Sequence, residues 1–190
     1  MSFTLPPRSV EVALVAVVLA AAVYDVRYRR IPNWITMAGV LTGLALNTFV
    51  AWDGAVNHGW AGLIFSLKGL CLAFGVYFAL YLLHAMGAGD VKMMAAIGSL
   101  VGWENWFAIF VVTAITGGIA AMLLVAFRGR TRKTLWNVGF ILSEMKRGRP
   151  AYLGKEELDV RSPKAVGLPH GAVIAVGTVF FLALSYKMGG

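Results

Sequence analysis

The sequence predicts an all-α polytopic membrane protein of about six transmembrane helices, with an amphipathic helix lying on the cytoplasmic surface, and three observations carry that prediction. Of 190 residues, 59% are hydrophobic and 14% charged, against about 25% charged in a soluble domain, and mean hydropathy is +0.74. The apolar residues gather into runs near the ~20 residues a helix needs to cross hydrocarbon. The basic residues fall on alternate connections between those runs. Such a composition excludes an ordinary soluble domain, a disordered chain and a secreted disulfide scaffold. Cys71 stands alone, so it can neither close an internal disulfide nor build a zinc site, and it reads as a small buried apolar residue.

The first run, Val10 to Tyr24, resembles a signal-peptide core with Ala20-Ala21-Ala22 as a cleavage site. Positive charge follows it, however, at Arg27, Arg29 and Arg30, an order that favours a retained helix ending in the cytoplasm. The second run is Trp34 to Trp52, and the third, Ala61 to Leu83, holds Lys68 at a depth from which a lysine snorkels to the surface. Val91 to Trp103 and Trp106 to Phe127 are the fourth and fifth, and Gly171 to Tyr186 is the sixth. Trp34, Trp52, Trp60, Trp103 and Trp106 stand at run ends, where an indole sits well among headgroups.

Between the fifth and sixth runs, 128–168 form a long basic loop punctuated by Pro150 and Pro163, with Pro169 just beyond it. Around Trp136, the residues Leu135, Val138, Ile141, Leu142 and Met145 recur at helical spacing opposite Lys133, Asn137, Glu144 and Arg147, which reads as the interfacial helix. No internal repeat or second soluble domain is visible, so 1–190 read as one membrane domain.

Net charge is +8, and its placement sets the expected topology. Three bases follow the first run, Lys92 edges the third connection and ten lie in 128–168, whereas Arg8 and Lys187 face the other side. The positive-inside rule puts the three basic connections in the cytoplasm and both termini outside. Topology and attraction to anionic lipid account for the bases, and no nucleic-acid partner is expected.

Ionisable residues at membrane depth are costly and usually paired or functional, and here they are Asp25, Lys68, Asp90 and Lys92, with His84 nearby. Asp25 ends the first run and Asp90 opens the fourth, so the expected topology brings both to the cytoplasmic boundary. Two carboxyl groups sharing a partly desolvated site oppose each other's ionisation and tend to hold one proton between them. The ionised member can then take a proton from water while the other polarises a carbonyl. Alternatively, the two are boundary charges paired with Arg27 or Lys92. The segment Gly87-Ala88-Gly89-Asp90 adds two glycines that permit positive φ and close approach of a substrate strand, and small residues follow at Ala95-Ala96-Ile97-Gly98.

Three motifs together resemble the type IV prepilin peptidases, membrane aspartic proteases of the GxGD class: Tyr24-Asp25-Val26-Arg27 with Ile31-Pro32-Asn33, Gly87-Ala88-Gly89-Asp90-Val91-Lys92 with Ala95-Ala96-Ile97-Gly98, and Leu168-Pro169-His170-Gly171. The resemblance implies an endopeptidase that removes the short leader of prepilins or pseudopilins at the cytoplasmic face of a bacterial plasma membrane, with Asp25 and Asp90 catalytic. It further implies that Gly87 and Gly89 shape a strand-like segment beside Asp90, that Lys92 stabilises local charge, and that Pro169 and Gly171 help to form the site. The long form of the family carries paired CxxC motifs that bind zinc, and it methylates the new N-terminus. With only Cys71 here, no metal or cofactor is expected and N-methylation is left open. The compact organisation looks like the peptidases of tight-adherence (Flp) pilus systems, with pilus-assembly machinery as a further partner.

Two other functions compete. A proton-coupled transporter relaying through Asp25 and Asp90 is a common use of buried carboxylates, but it predicts inverted repeats with matching helix breaks that the sequence does not display. A noncatalytic scaffold would tolerate loss of either aspartate. His84 reads as a helix-end hydrogen-bonding residue, His58 as extracytoplasmic, and His170 as close to the site.

Overall fold

The computed structural model describes residues 6–50, 59–127, 136, 143 and 169–189, and among these the only regular structure is helix. The main helices are α1 (Arg8–Tyr28), α2 (Asn33–Phe49), α3 (Trp60–Leu82), α4 (Ala88–Phe127) and α5 (His170–Gly189). Of the expected interfacial helix only Trp136 and Ser143 are described; both are helical, and Trp136 is exposed. The rest of that helix, with Trp52, His58 and the remaining loop residues, lies outside the described residues.

Each outer helix buries a narrow stripe at three- and four-residue spacing. On α1 it is Val10, Glu11, Leu14, Val18, Ala21 and Asp25. On α2 the stripe is Ile35, Thr36, Gly39, Gly43 and Asn47, and on α3 it is Gly62, Ser66, Gly69, Ala73 and Tyr77. The small residues have a physical reason: lipid is as apolar as leucine, so helices hold together through close backbone approach and polar contacts. A Cβ on Gly98 would lie 2.8 Å from the Ala73 Cβ and from the Gly69 carbonyl carbon. The α3 and α4 backbones are therefore in contact.

The fourth and fifth apolar runs, expected as separate segments, join in the 40 residues of α4, which is two helices meeting at a break at Gly102 (φ 74°, ψ 178°). That conformation is closed to residues with a side chain, and a Cβ there would enter the Phe65 ring. On the turn entering the break, the Ser99 carbonyl accepts from Asn47 Nδ2 (2.8 Å) and Ser66 Oγ, and the Leu100 carbonyl accepts from Asn47 Nδ2 (3.1 Å). These partners matter because no water is at hand within a bilayer to satisfy backbone groups.

Beyond the break the chain runs back. Ser99 lies beside Ser66, near the start of α3, yet Trp106 and Phe110 pack on Tyr77, near its end. Farther on, Thr113 meets Gly177 and Gly117 meets Val173 near the start of α5. The first arm is the centre of the bundle, with 93–102 buried on all sides. Among the described residues four helices, α1, α3, α4 and α5, are long and apolar enough to cross a membrane. That count differs from six because α4 contains two of the expected runs and because α2, at 17 residues, is short.

Two side chains depart from expectation. Trp106 is fully buried rather than placed among headgroups, because the reversal at Gly102 turns it onto Tyr77 (6.4 Å, edge-on) and Phe110 (5.6 Å, stacked). Cys71 is exposed rather than buried, since it falls outside the inward stripe of α3. Lys68 is likewise on the exposed face.

Candidate active site

Asp25 and Asp90 come to the same end of the bundle, 65 positions apart in the chain, and both are buried. α1 extends past its apolar run, so Asp25 occupies its last helical turns, where its carbonyl accepts from Arg29 N (2.8 Å). The helix stops at Arg29, which adopts a left-handed cap (φ 53°). Pro32 then precedes α2, as suits a residue with no N–H to donate at a helix entry.

Asp90 sits in the first turn of α4, and its Oδ2 accepts from Gly87 N at 3.1 Å. An acidic side chain reaching back three residues is the returning half of a capping box. The carboxylate thereby satisfies one of the open N–H groups at a helix start. The Asp25 Oδ2 is held in a related way from another element, accepting from Gly171 N at 2.8 Å in the first turn of α5. Each carboxylate thus meets the positive end of a helix dipole, which favours negative charge there. Asp90 lies within electrostatic reach of Asp25 and His170, and Tyr77 lies within reach of Asp90.

Ile31, in the α1–α2 turn, is wedged among these parts. A Cβ on Gly89 would stand 3.2 Å from the Ile31 Cβ. On Gly171 it would stand 3.1 Å from the Ile31 Cδ1 and also 3.1 Å from the Asp25 Cβ and Oδ2. Gly87 is tight for another reason, its Cβ position being 3.2 Å from the Asp90 Oδ2. Three glycines therefore keep three helix ends close to the two carboxylates.

This corrects two expectations. Neither Gly87 nor Gly89 has positive φ, and the segment beside Asp90 is the opening of a helix rather than strand-like, because the Gly87 carbonyl accepts from Asp90 N and Val91 N. The glycines serve space, not an unusual backbone. Lys92 is exposed, and its Nζ donates to Asn33 Oδ1 at 2.9 Å. It ties α4 to the start of α2.

Pro169 leads into α5, its carbonyl accepting from Ala172 N (3.1 Å) and Val173 N (3.3 Å). His170 follows it, with Nε2 buried and without a hydrogen-bond partner. His84 adopts a left-handed conformation just past α3, its N–H donating to the Tyr81 carbonyl. The role of Ile31 as a wall and the nearness of Tyr77 to Asp90 were not singled out from sequence. Ile31 stood inside a recognised motif, whereas Tyr77 carried no signal beyond its place in an apolar run. Among the described residues no group of three or more His, Cys, Asp or Glu side chains is arranged to hold a metal ion.

A helical bundle with membrane-length helices and two carboxylates converging at one end, each held by a helix start, defines a membrane protein with an acidic site at the bundle end. The model of the type IV leader peptidase family matches residues 12–122, more than half of the chain. The chain belongs to that family. It is 31% identical over 131 residues to a prepilin leader peptidase/N-methyltransferase of Legionella pneumophila, covering 64% of this chain and 43% of the relative. A protein of the same description from Burkholderia pseudomallei strain K96243 is 30% identical over 122 residues, with 63% and 38% covered. A preflagellin peptidase of Methanocaldococcus jannaschii is 29% identical over 87 residues, 46% of this chain and 36% of that protein. The chain spans about two fifths of the length of these relatives. No solved structure matches.

Proposed function

We propose that this protein is a membrane aspartic endopeptidase that removes the short N-terminal leader of type IV prepilins or pseudopilins, with Asp25 and Asp90 activating the attacking water. The observation that carries the reading is that two buried carboxylates from distant parts of the chain lie within electrostatic reach of each other, one bound by Gly171 N and the other by Gly87 N. Each aspartate has one oxygen committed to a backbone N–H, which orients the carboxyl group and leaves the other oxygen for water or substrate. One acts as general base toward water and its partner donates a proton to the developing oxyanion or the leaving amine. The relatives' names supply the substrate class.

The arrangement of helices supports a six-pass topology, with the two arms of α4 crossing in opposite directions and α2 as a short span. By the charge asymmetry, the carboxylate end is cytoplasmic and both termini are outside, in a bacterial plasma membrane. A leader cut just before a hydrophobic helix would meet the site at this boundary. Within the class of leader peptidases, the reading is a peptidase of the tight-adherence (Flp) type. The basic segment around Trp136 is proposed to position the substrate or a pilus-assembly partner.

The test is cleavage of an Flp-type prepilin in membranes by wild type, Asp25→Asn and Asp90→Asn at equal expression. The expected result is a cut at the leader boundary by wild type and at least a ~10³-fold loss in each variant. Full activity in either variant refutes the two-aspartate assignment, and an inactive wild type refutes the substrate class.

A further inference from the structure

A third buried carboxylate lies at the opposite end of the bundle. Glu11, in the first turn of α1, is buried, and one of its oxygens accepts from the Tyr186 hydroxyl of α5 at 2.5 Å. The proposed reaction does not use this pair. Its spacing nevertheless connects it to the site. Glu11 precedes Asp25 by 14 residues on α1, and Tyr186 follows Gly171 by 15 residues on α5, or ~21 Å and ~22 Å of helix rise. The two helices are thus joined by polar rungs at both ends, Glu11 with Tyr186 and Asp25 with Gly171 N.

The rungs concern the register of α1 against α5; α5 is itself seated on α4, where Gly177 lies against Thr113 and Gly117 against Val173. Between the rungs the buried apolar residues are Leu14, Val18 and Ala21 on α1 and Ile174, Ala175, Phe181 and Leu182 on α5. Apolar contacts between helices compete with equally apolar lipid, so they discriminate poorly between registers. Thr178 and Ser185 donate to the Ile174 and Phe181 carbonyls of their own helix. A slide of one turn, ~5.4 Å, would take the buried Glu11 carboxylate away from the hydroxyl of Tyr186, which is itself exposed, and a buried acceptor left without its donor is costly.

We propose that the Glu11–Tyr186 hydrogen bond is a register clamp that holds Gly171 N against Asp25 from the far end of the α1–α5 pair, making both residues positioning residues for the site. The clamp rests on the proposed peptidase reading only for its effect on activity, and the register itself can be measured without substrate. In a Cys71→Ser background, spin labels at Val23→Cys and Val176→Cys, both exposed positions, report the slide of α5 along α1 by their separation. Tyr186→Phe removes a single oxygen, Glu11→Gln keeps an acceptor for the hydroxyl, and Glu11→Leu combined with Tyr186→Phe removes both partners and leaves no buried charge to compromise insertion.

The expected result is a narrow distance distribution in wild type and Glu11→Gln. In Tyr186→Phe and the double variant it should shift or broaden by about 5 Å, one helical turn, with kcat for leader cleavage falling about tenfold and KM little changed. An unchanged distance in the folded double variant overturns the clamp. So does an altered distance accompanied by undiminished cleavage, since the register would then not matter to the site. If wild type cleaves no prepilin, the peptidase reading falls, and the distances alone decide whether the pair sets the register.

Discussion

Gly171→Ala tests the packing of the site more sharply than removal of a carboxylate. The added methyl would stand 3.1 Å from three atoms, the Asp25 Cβ, the Asp25 Oδ2 and the Ile31 Cδ1. Separations of this size oblige neighbours to yield by a few tenths of an ångström, and the atom that must yield includes the oxygen bonded to Gly171 N at 2.8 Å. A hydrogen bond to a charged group contributes about 1.5–3 kcal/mol. At ~1.36 kcal/mol per factor of ten, its misalignment corresponds to a loss of roughly 10- to 150-fold in rate. Global stability should change much less, because alanine gains about 0.8–1 kcal/mol over glycine in helix propensity and offsets part of the crowding.

The assay is the rate of conversion of prepilin to mature pilin on a gel, at matched enzyme levels, alongside Gly118→Ala. Gly118 is helical and exposed, and a Cβ there meets nothing within 4 Å, so that variant should cleave as wild type does. The expected outcome is a fall of at least tenfold for Gly171→Ala, with thermal stability close to wild type. Cleavage within twofold of wild type would refute the reasoning that Gly171 is glycine for the sake of Asp25.

Four further outcomes follow from the same geometry. Gly89→Ala crowds the Ile31 Cβ at 3.2 Å and should slow cleavage about tenfold, on the scale of 1–3 kcal/mol for overpacking, with Ile31→Ala in the same chain restoring part of the rate. Gly102→Ala forces a side chain into φ 74° and into the Phe65 ring, and should destabilise by more than about 2 kcal/mol, read as loss of folded protein in detergent melting. Asn47→Leu strips the Ser99 and Leu100 carbonyls of a shared donor and should lower stability by about 1–3 kcal/mol. Lys92→Ala removes an exposed bond to Asn33 and should leave the cleavage rate within about twofold, given the small contribution of surface polar pairs; a loss of 100-fold would assign Lys92 a charge-stabilising role.

Much of the site was legible because its residues stand out against their surroundings. Asp25 and Asp90 are rare carboxylates at the ends of apolar runs, and a positive-inside count suffices to expect them at one boundary. Gly87, Gly89, Pro169 and Gly171 belong to recognisable motifs, but their physical work was misjudged for the first two. A glycine in a sequence signals either an unusual φ or a need for room, and only the neighbours decide which. At Gly89 the neighbour is Ile31, 58 positions away in the chain. Glu11 carried no signal in the sequence, since its partner Tyr186 lies at the other end of the chain.

By itself, the sequence determined that this chain is helical, that its helices suit lipid, and where its unusual carboxylates fall, because transfer into hydrocarbon and the need to satisfy backbone hydrogen bonds are properties of each segment alone. Only the tertiary structure decided which faces are buried, that two apolar runs double back at Gly102, that Trp106 turns inward while Cys71 faces out, and that Gly171 N meets Asp25. The reason is that hydropathy measures departure from water, and a lipid-facing leucine and a protein-facing one depart equally. The distinction between them arises from backbone proximity at small residues and from polar rungs between helices, which join residues far apart in the chain.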